Sequence, residues 1–231
     1  MSLLLENISN VFKRVSSAAM RSGRSPEEVK LIAVTKTVEV IRIREAIDAG
    51  LRIFGENRVQ EFQKKMTGDV LRPLSEKVEW HLIGHLQRNK AKFAVRLFDL
   101  VHSVDSCELA KELNSCAEKI GKVQEALVEV KLSHEQSKHG IMKNELIELL
   151  KDVVEMRNLN VRGLMTVPPF AENPEKARPY FRELRVLRDE AALKGFSLPE
   201  LSMGMSNDFE VAIEEGATMV RIGRAIFGER E

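Results

Sequence analysis

A lysine ends the first strongly apolar run of the chain, Leu31-Ile32-Ala33-Val34-Thr35-Lys36. Val and Ile favour a pleated, half-buried backbone, and near-continuous hydrophobicity marks a parallel strand covered on both faces. A lysine leaving such a strand at its carboxyl end stands where α/β folds build their sites. Apolar neighbours desolvate an ammonium and favour the neutral amine, the form that attacks an aldehyde or ketone to give a Schiff base. The competing reading is a strand-end lysine whose ammonium stays in water. A second chemistry lies near the far end of the chain. Ser202-Met203-Gly204-Met205-Ser206-Asn207-Asp208 sets a small-residue loop before a helix, where unpaired amides favour an anion. Gly223, in Arg221-Ile222-Gly223-Arg224, allows another close backbone approach. Helix capping by Ser206 and a tight turn at Gly223 would explain each feature singly.

Positioning these groups requires a regular scaffold, and the hydrophobic periodicity supplies one. Leu4, Ile8, Val11, Val15 and Ala18 recur at helical spacing and predict an amphipathic helix stopped by Gly23 and Ser25-Pro26. After the Lys36 strand, residues 39 to 49 read as a helix ended by Gly50, and a second strand begins at Leu51. Further strands read at Trp80 to Ile83, Asp99 to His102, Ala126 to Val130, Val161 to Met165, Leu198 to Ser202 and Thr218 to Ile222, with helical patterns between them. Helix starts are expected at an Asp105/Glu108 capping box, at Asn173-Pro174, and at Ser206-Asn207-Asp208. Eight β/α units in this length predict a single-domain TIM (β/α)8 barrel over residues 1–231 with an extra N-terminal helix. The alternative, an open doubly wound sheet, lacks a GxGxxG after the first strand.

Composition narrows the function classes. The 231 residues are 43% hydrophobic, and 36 basic residues nearly cancel 35 acidic ones without a basic block, so neither nucleic acid nor a polybasic membrane contact is expected. The amino end meets Glu6 and Asn7 too early for a secretory signal, and no apolar run approaches the ~20 residues of a membrane span. A cytoplasmic protein is the expectation. Cys107 and Cys116, nine apart on one helix, match neither zinc nor redox spacing and read as reduced thiols. No metal set emerges: His81 and His85 bracket a strand-to-loop transition, and His134 and His139 sit with Lys138 in a polar loop with no assignable role. At a barrel mouth, Lys36 and the two late loops describe a ligand with both a carbonyl and a phosphate. Pyridoxal phosphate fits, and so does a sugar phosphate handled by a Schiff-base aldolase.

Longer motifs make the reading more specific. Phe54-Gly55-Glu56-Asn57-Arg58-Val59-Gln60-Glu61, Trp80-His81-Leu82-Ile83-Gly84-His85-Leu86-Gln87-Arg88-Asn89-Lys90, His102-Ser103-Val104-Asp105, Gly163-Leu164-Met165-Thr166 and Val220-Arg221-Ile222-Gly223 follow Ala33-Val34-Thr35-Lys36 in order. Together they resemble the pyridoxal phosphate homeostasis protein family over nearly the whole length. The resemblance implies a barrel of the alanine racemase amino-domain, fold type III-like kind, holding pyridoxal 5'-phosphate as an internal aldimine on Lys36. It implies that Ser206 and the Gly223 backbone hold the phosphate, that Arg221 faces the pyridine nitrogen, and that Asn57, His85, Met165 and Met203 line the ring and its surroundings. It further implies a carrier or regulator without established turnover, acting as a monomer or weak homodimer, with cofactor-dependent apoenzymes as candidate recipients. The alternative is an amino-acid racemase. Fold relatives take a second base from a tyrosine on an added β domain, whereas the single tyrosine here, Tyr180, shares a helix face with Ala177, Leu184 and Leu187 and reads as packing.

Overall fold

The computed structural model describes residues 2–68, 70–71, 77–133, 135 and 139–229, so His134 and Lys138 lie outside the described residues. The opening helix, α1 (Leu3–Arg21), buries Leu4, Ile8, Val11, Val15, Ala18 and Ala19, the stripe its spacing predicts. The chain then alternates: β1 (Lys30–Val34), α2 (Val40–Asp48), β2 (Ile53–Glu56), α3 (Val59–Met66), β3 (Glu79–Leu82), α4 (Ala91–Leu97), β4 (Leu100–Val104) and α5 (Cys107–Glu118). It continues through β5 (Gln124–Lys131), β6 (Ile141–Met142), α6 (Leu146–Val154), β7 (Leu159–Met165), α7 (Arg178–Leu193), β8 (Glu200–Met205), α8 (Phe209–Glu214), β9 (Met219–Ile222) and α9 (Arg224–Phe227).

Eight strands pair in parallel and form a closed ring in the order β1, β2, β3, β4, β5, β7, β8, β9, with β9 returning to β1. This is the predicted eight-stranded barrel. At the closing seam Leu31 lies opposite Val220, and at the next seam Ala33 lies opposite Phe54. Period-two alternation sends Ile32, Leu100, Leu127, Met165 and Met219 into the barrel interior, while Leu31 and Ala33 join the larger core under the helices. The packing of α1 covers the seam where the first and last units meet: Asn7 Nδ2 donates to the Ile226 carbonyl at 3.0 Å, and Arg14 pairs with Glu210 at 2.9 Å. No described helix is long and apolar enough to cross a membrane.

Three details differ from the sequence expectation. The two-residue β6 pairs with Val130 and Lys131 outside the ring, and two residues carry no periodicity from which to foresee it. Ser106, not Asp105, caps α5 by accepting from the Leu109 N–H at 3.3 Å, because Asp105 turns toward His85 instead. At α8 the N-cap position belongs to Asp208, whose carboxylate accepts from the Met205 N–H at 2.6 Å, while Ser206 points elsewhere. Asn173 does bond the Glu175 N–H at 3.0 Å ahead of its helix, as expected.

Candidate functional site

The loops after β1, β2, β8 and β9 enclose a cavity of about 570 Å³ at the carboxyl end of the barrel, walled in part by Lys36, Asn57, Ser206, Arg221 and Gly223. That is an ordinary volume for a small-molecule site. An adjoining cavity of about 420 Å³ shares Lys36 and Gly223, so Lys36 stands between the two. Three other residues assigned to the site from sequence lie elsewhere. Met203 is fully buried in the outer core, because strand alternation turns Ser202 inward and Met203 outward. Met165 is one of the apolar side chains filling the barrel interior. His85 lines a neighbouring groove on the rim, together with Asn57 and Lys90.

The backbone on both sides of Lys36 is pinned by a buried ionic network that sequence reasoning missed. Lys65 Nζ, on α3, donates to the Thr35 carbonyl at 2.6 Å, to Glu56 Oε1 at 2.7 Å and to Glu61 Oε1 at 2.9 Å. Glu56 Oε1 also accepts from Thr35 Oγ1 at 2.7 Å, and Glu61 Oε1 accepts from the Thr37 N–H at 2.6 Å. Thr37 has φ of 62°, a left-handed conformation that a β-branched residue adopts only when its surroundings enforce it. Such enforced backbone clusters at functional positions, and here it turns the chain sharply just past Lys36. Burial pushes the Glu56 carboxyl up, opposed by the Lys65 charge and by the hydrogen bonds from Lys65 and Thr35. The sequence signal available was the Glu61/Lys65 pair one helical turn apart, but that spacing is common on solvated faces.

Across the cavity, Ser206 Oγ accepts from the N–H groups of Gly223 and Ala225 at 3.3 and 3.4 Å. Two amides and a hydroxyl therefore converge at one point. Gly223 lies against the end of β1, where an added Cβ would stand 3.4 Å from the Val34 Cβ, an ordinary contact distance. Gly204 has φ of +92°, and a side chain there would approach the Ala212 Cβ to 2.6 Å, which fixes glycine in the turn that delivers Ser206.

Beneath the cavity a polar chain crosses the barrel. Arg221, 4% exposed, donates through Nη1 to Ser202 Oγ at 2.5 Å and through Nη2 to the Thr166 carbonyl at 2.9 Å. Ser202 Oγ lies 2.9 Å from His102 Nδ1, and His102 Nε2 lies 3.1 Å from His81 Nδ1. Beyond it, His81 Nε2 lies 3.5 Å from a Glu79 carboxylate oxygen. Burial holds His102 well below the usual imidazole range, reinforced by the charges of His81 and Arg221, so its ring is neutral. A guanidinium can only donate, so Ser202 Oγ and the Thr166 carbonyl both accept from Arg221. Burial lowers the Arg221 guanidinium to about 10, with Glu129 and Asp208 opposing the shift, so it remains a cation at neutral pH.

The family description "Alanine racemase, N-terminal domain" matches residues 7–231. A protein of Aquifex aeolicus named pyridoxal phosphate homeostasis protein is 49% identical over 227 residues, covering 98% of each chain. The protein of that name from Escherichia coli K12 is 42% identical over 238 residues, covering 99% of this chain and 97% of the relative. The chain belongs to the pyridoxal phosphate homeostasis protein family. Among solved structures, the family member PipY of Synechococcus elongatus, with PLP bound, is similar at a TM-score of 0.81 and 37% identity, covering 94% of this chain and all of that one. The family's barrel is thus the one described here, and the order of its motifs along the chain is the order of the loops around the mouth.

Proposed function

We propose that the chain binds pyridoxal 5'-phosphate through Lys36 and serves in cytoplasmic cofactor homeostasis as a carrier or regulator, all 231 residues acting as one cofactor-binding unit. The observation that carries this reading is the placement of Lys36, Ser206 and Gly223 around one cavity with Arg221 in its wall, Ser206 Oγ accepting from the Gly223 and Ala225 amides. A phosphate would take up the two amides that Ser206 now occupies, with the hydroxyl rotating to donate as well. Bound there, the cofactor supplies an aldehyde for covalent capture by an amine and a ring that delocalises charge. Lys36 would supply the amine. Asn57 would border the ring, and Arg221 would face the pyridine nitrogen. Because Arg221 stays protonated and can only donate, it would hold that nitrogen as an acceptor and oppose the pyridinium needed for general carbanion chemistry. The sequence of homologues named for homeostasis supports the carrier reading.

The test is the visible spectrum of the purified protein followed by borohydride reduction and peptide mapping. A yellow protein labelled on Lys36 is expected; a colourless one that binds sugar phosphates would support the aldolase reading instead. Ser206→Ala is expected to weaken cofactor retention by roughly 1 to 3 kcal/mol, the scale for a hydrogen bond to a charged group. Equilibrium dialysis reads this, and an unchanged dissociation constant would restrict Ser206 to organising the loop.

Racemisation needs an acid/base group on each face of the substrate carbon. Tyr180 lies on α7 outside the residues that wall the cavity, so it does not supply the second acid/base group opposite Lys36. Isotope exchange at the α-carbon of alanine, serine or glutamate should therefore be weak or absent. Robust exchange abolished by Lys36→Ala would restore the racemase reading. Transfer to cofactor-dependent apoenzymes belongs to this same proposal, with the adjoining cavity beside Lys36 as a route of access.

A further inference from the structure

His85, which lines the rim groove beside Asn57, meets two further side chains that do not line the cofactor cavity, Asp105 and His139. His85 follows β3, Asp105 follows β4, and His139 precedes β6, so the set is assembled from three loops and is invisible as a spacing motif. His85 Nδ1 lies 3.2 Å from Asp105 Oδ2, and the His85 and His139 rings stack with centroids 3.8 Å apart and planes inclined by 10°. One donor atom from each residue falls within 4.8 Å of the other two. Donors sharing one zinc ion at bond lengths of about 2.0–2.2 Å stand roughly 3 to 3.5 Å apart, and a metal lies in the plane of each ligating ring, so binding would turn the two imidazoles out of their parallel stack as the three donors converge. The His85 side chain is 36% exposed, which leaves room for that rotation and for water to complete the coordination.

We propose that His85, Asp105 and His139 bind a divalent transition-metal ion of the zinc class at the barrel rim. Two imidazole nitrogens and one carboxylate oxygen suit Zn²⁺, Co²⁺ or Ni²⁺ and are a poor match for Mg²⁺ or Ca²⁺, which prefer oxygen shells. The pairing of a carboxylate with an imidazole also offsets the charge of the incoming ion. Asp105 is free for this role because Ser106 caps α5 in its place. The ion would tie the segment carrying His139 to the loops after β3 and β4, fixing one wall of the groove next to Asn57. The site contains no residue of the cofactor cavity, so it stands or falls independently of cofactor binding.

The experiment uses the untagged full chain with whatever cofactor it carries on purification. Zn²⁺ is titrated by calorimetry and in competition with a chromogenic chelator, and thermal melting is followed with and without the ion. One equivalent per chain is expected, with a rise in the melting midpoint because the ion binds the folded state. His139→Ala and Asp105→Asn should each weaken binding by about tenfold or more and remove the midpoint shift, while melting like the parent in chelator. Cys107→Ser is the control for thiol binding. The proposal is overturned by the absence of saturable one-equivalent binding, by retention of full affinity in both His139→Ala and Asp105→Asn, or by loss of binding in Cys107→Ser alone.

Discussion

Lys36→Ala abolishes the reducible covalent adduct outright, while the phosphate contacts retain part of the cofactor noncovalently. The expectation rests on position, since Lys36 lines both mouth cavities together with Gly223 and shares the larger one with Ser206. The nearest rival is Lys65, which reaches the same stretch of backbone. Its ammonium is spent on three acceptors, the Thr35 carbonyl, Glu56 and Glu61, at 2.6 to 2.9 Å. An ammonium has no lone pair, so to attack an aldehyde Lys65 would have to lose one of the three protons that these acceptors engage. Borohydride reduction followed by intact mass measurement should show one adduct on the parent chain and none on the variant. An adduct persisting in Lys36→Ala, mapped to Lys65, Lys90 or Lys131, would move the attachment point.

Lys65→Met should cost about 3 to 5 kcal/mol of stability near neutral pH, the scale for removing one partner of a buried ion pair. Glu56 is fully buried and the Lys65 side chain is 10% exposed, so solvent cannot substitute for the lost charge. The pH dependence follows from the Glu56 carboxyl, which burial raises even with Lys65 present. A group that binds its proton more tightly in the folded state contributes most below its unfolded value and loses that contribution as pH rises through its folded value. Without the ammonium the folded value rises further, so the variant's deficit is largest at neutral and alkaline pH and shrinks as acid protonates Glu56. Urea unfolding of both proteins at several pH values reads this. A deficit that stays constant from mildly acidic to alkaline pH would mean that Glu56 does not depend on the Lys65 charge. Cofactor affinity should fall in parallel, because Thr37 at φ of 62° then loses the Glu61–Lys65 brace.

The barrel was legible because each strand–helix unit announces itself: Ile32-Ala33-Val34 as a buried strand, Leu146, Leu149, Leu150 and Val153 as a helix face. Residues bordering the cavity were legible where a strand end carries them, as with Lys36 and Gly223. The outward facing of Met203 does not follow from the motif resemblance that implied it lines the ring; alternation along β8 sets it, turning Ser202 and Met203 to opposite sides. The polar chain was hidden for a different reason. His102 on β4 meets Ser202 on β8 across the barrel interior, a contact set by strand tilt and closure that no local pattern records. His139 joined His85 for the same reason, through loops distant in sequence.

Closure of the ring places β9 directly against β1, so the lysine of the first unit and the amides of the last confront each other over one seam. On the binding proposed above, a growing polypeptide would have its amine early and its phosphate contacts only when synthesis has passed Ala225. A ligand held by both would span the join between β9 and β1. Opening the barrel there would require releasing the ligand first, so loading should slow the unzipping of the terminal unit and lengthen the life of the chain against proteases in proportion to occupancy.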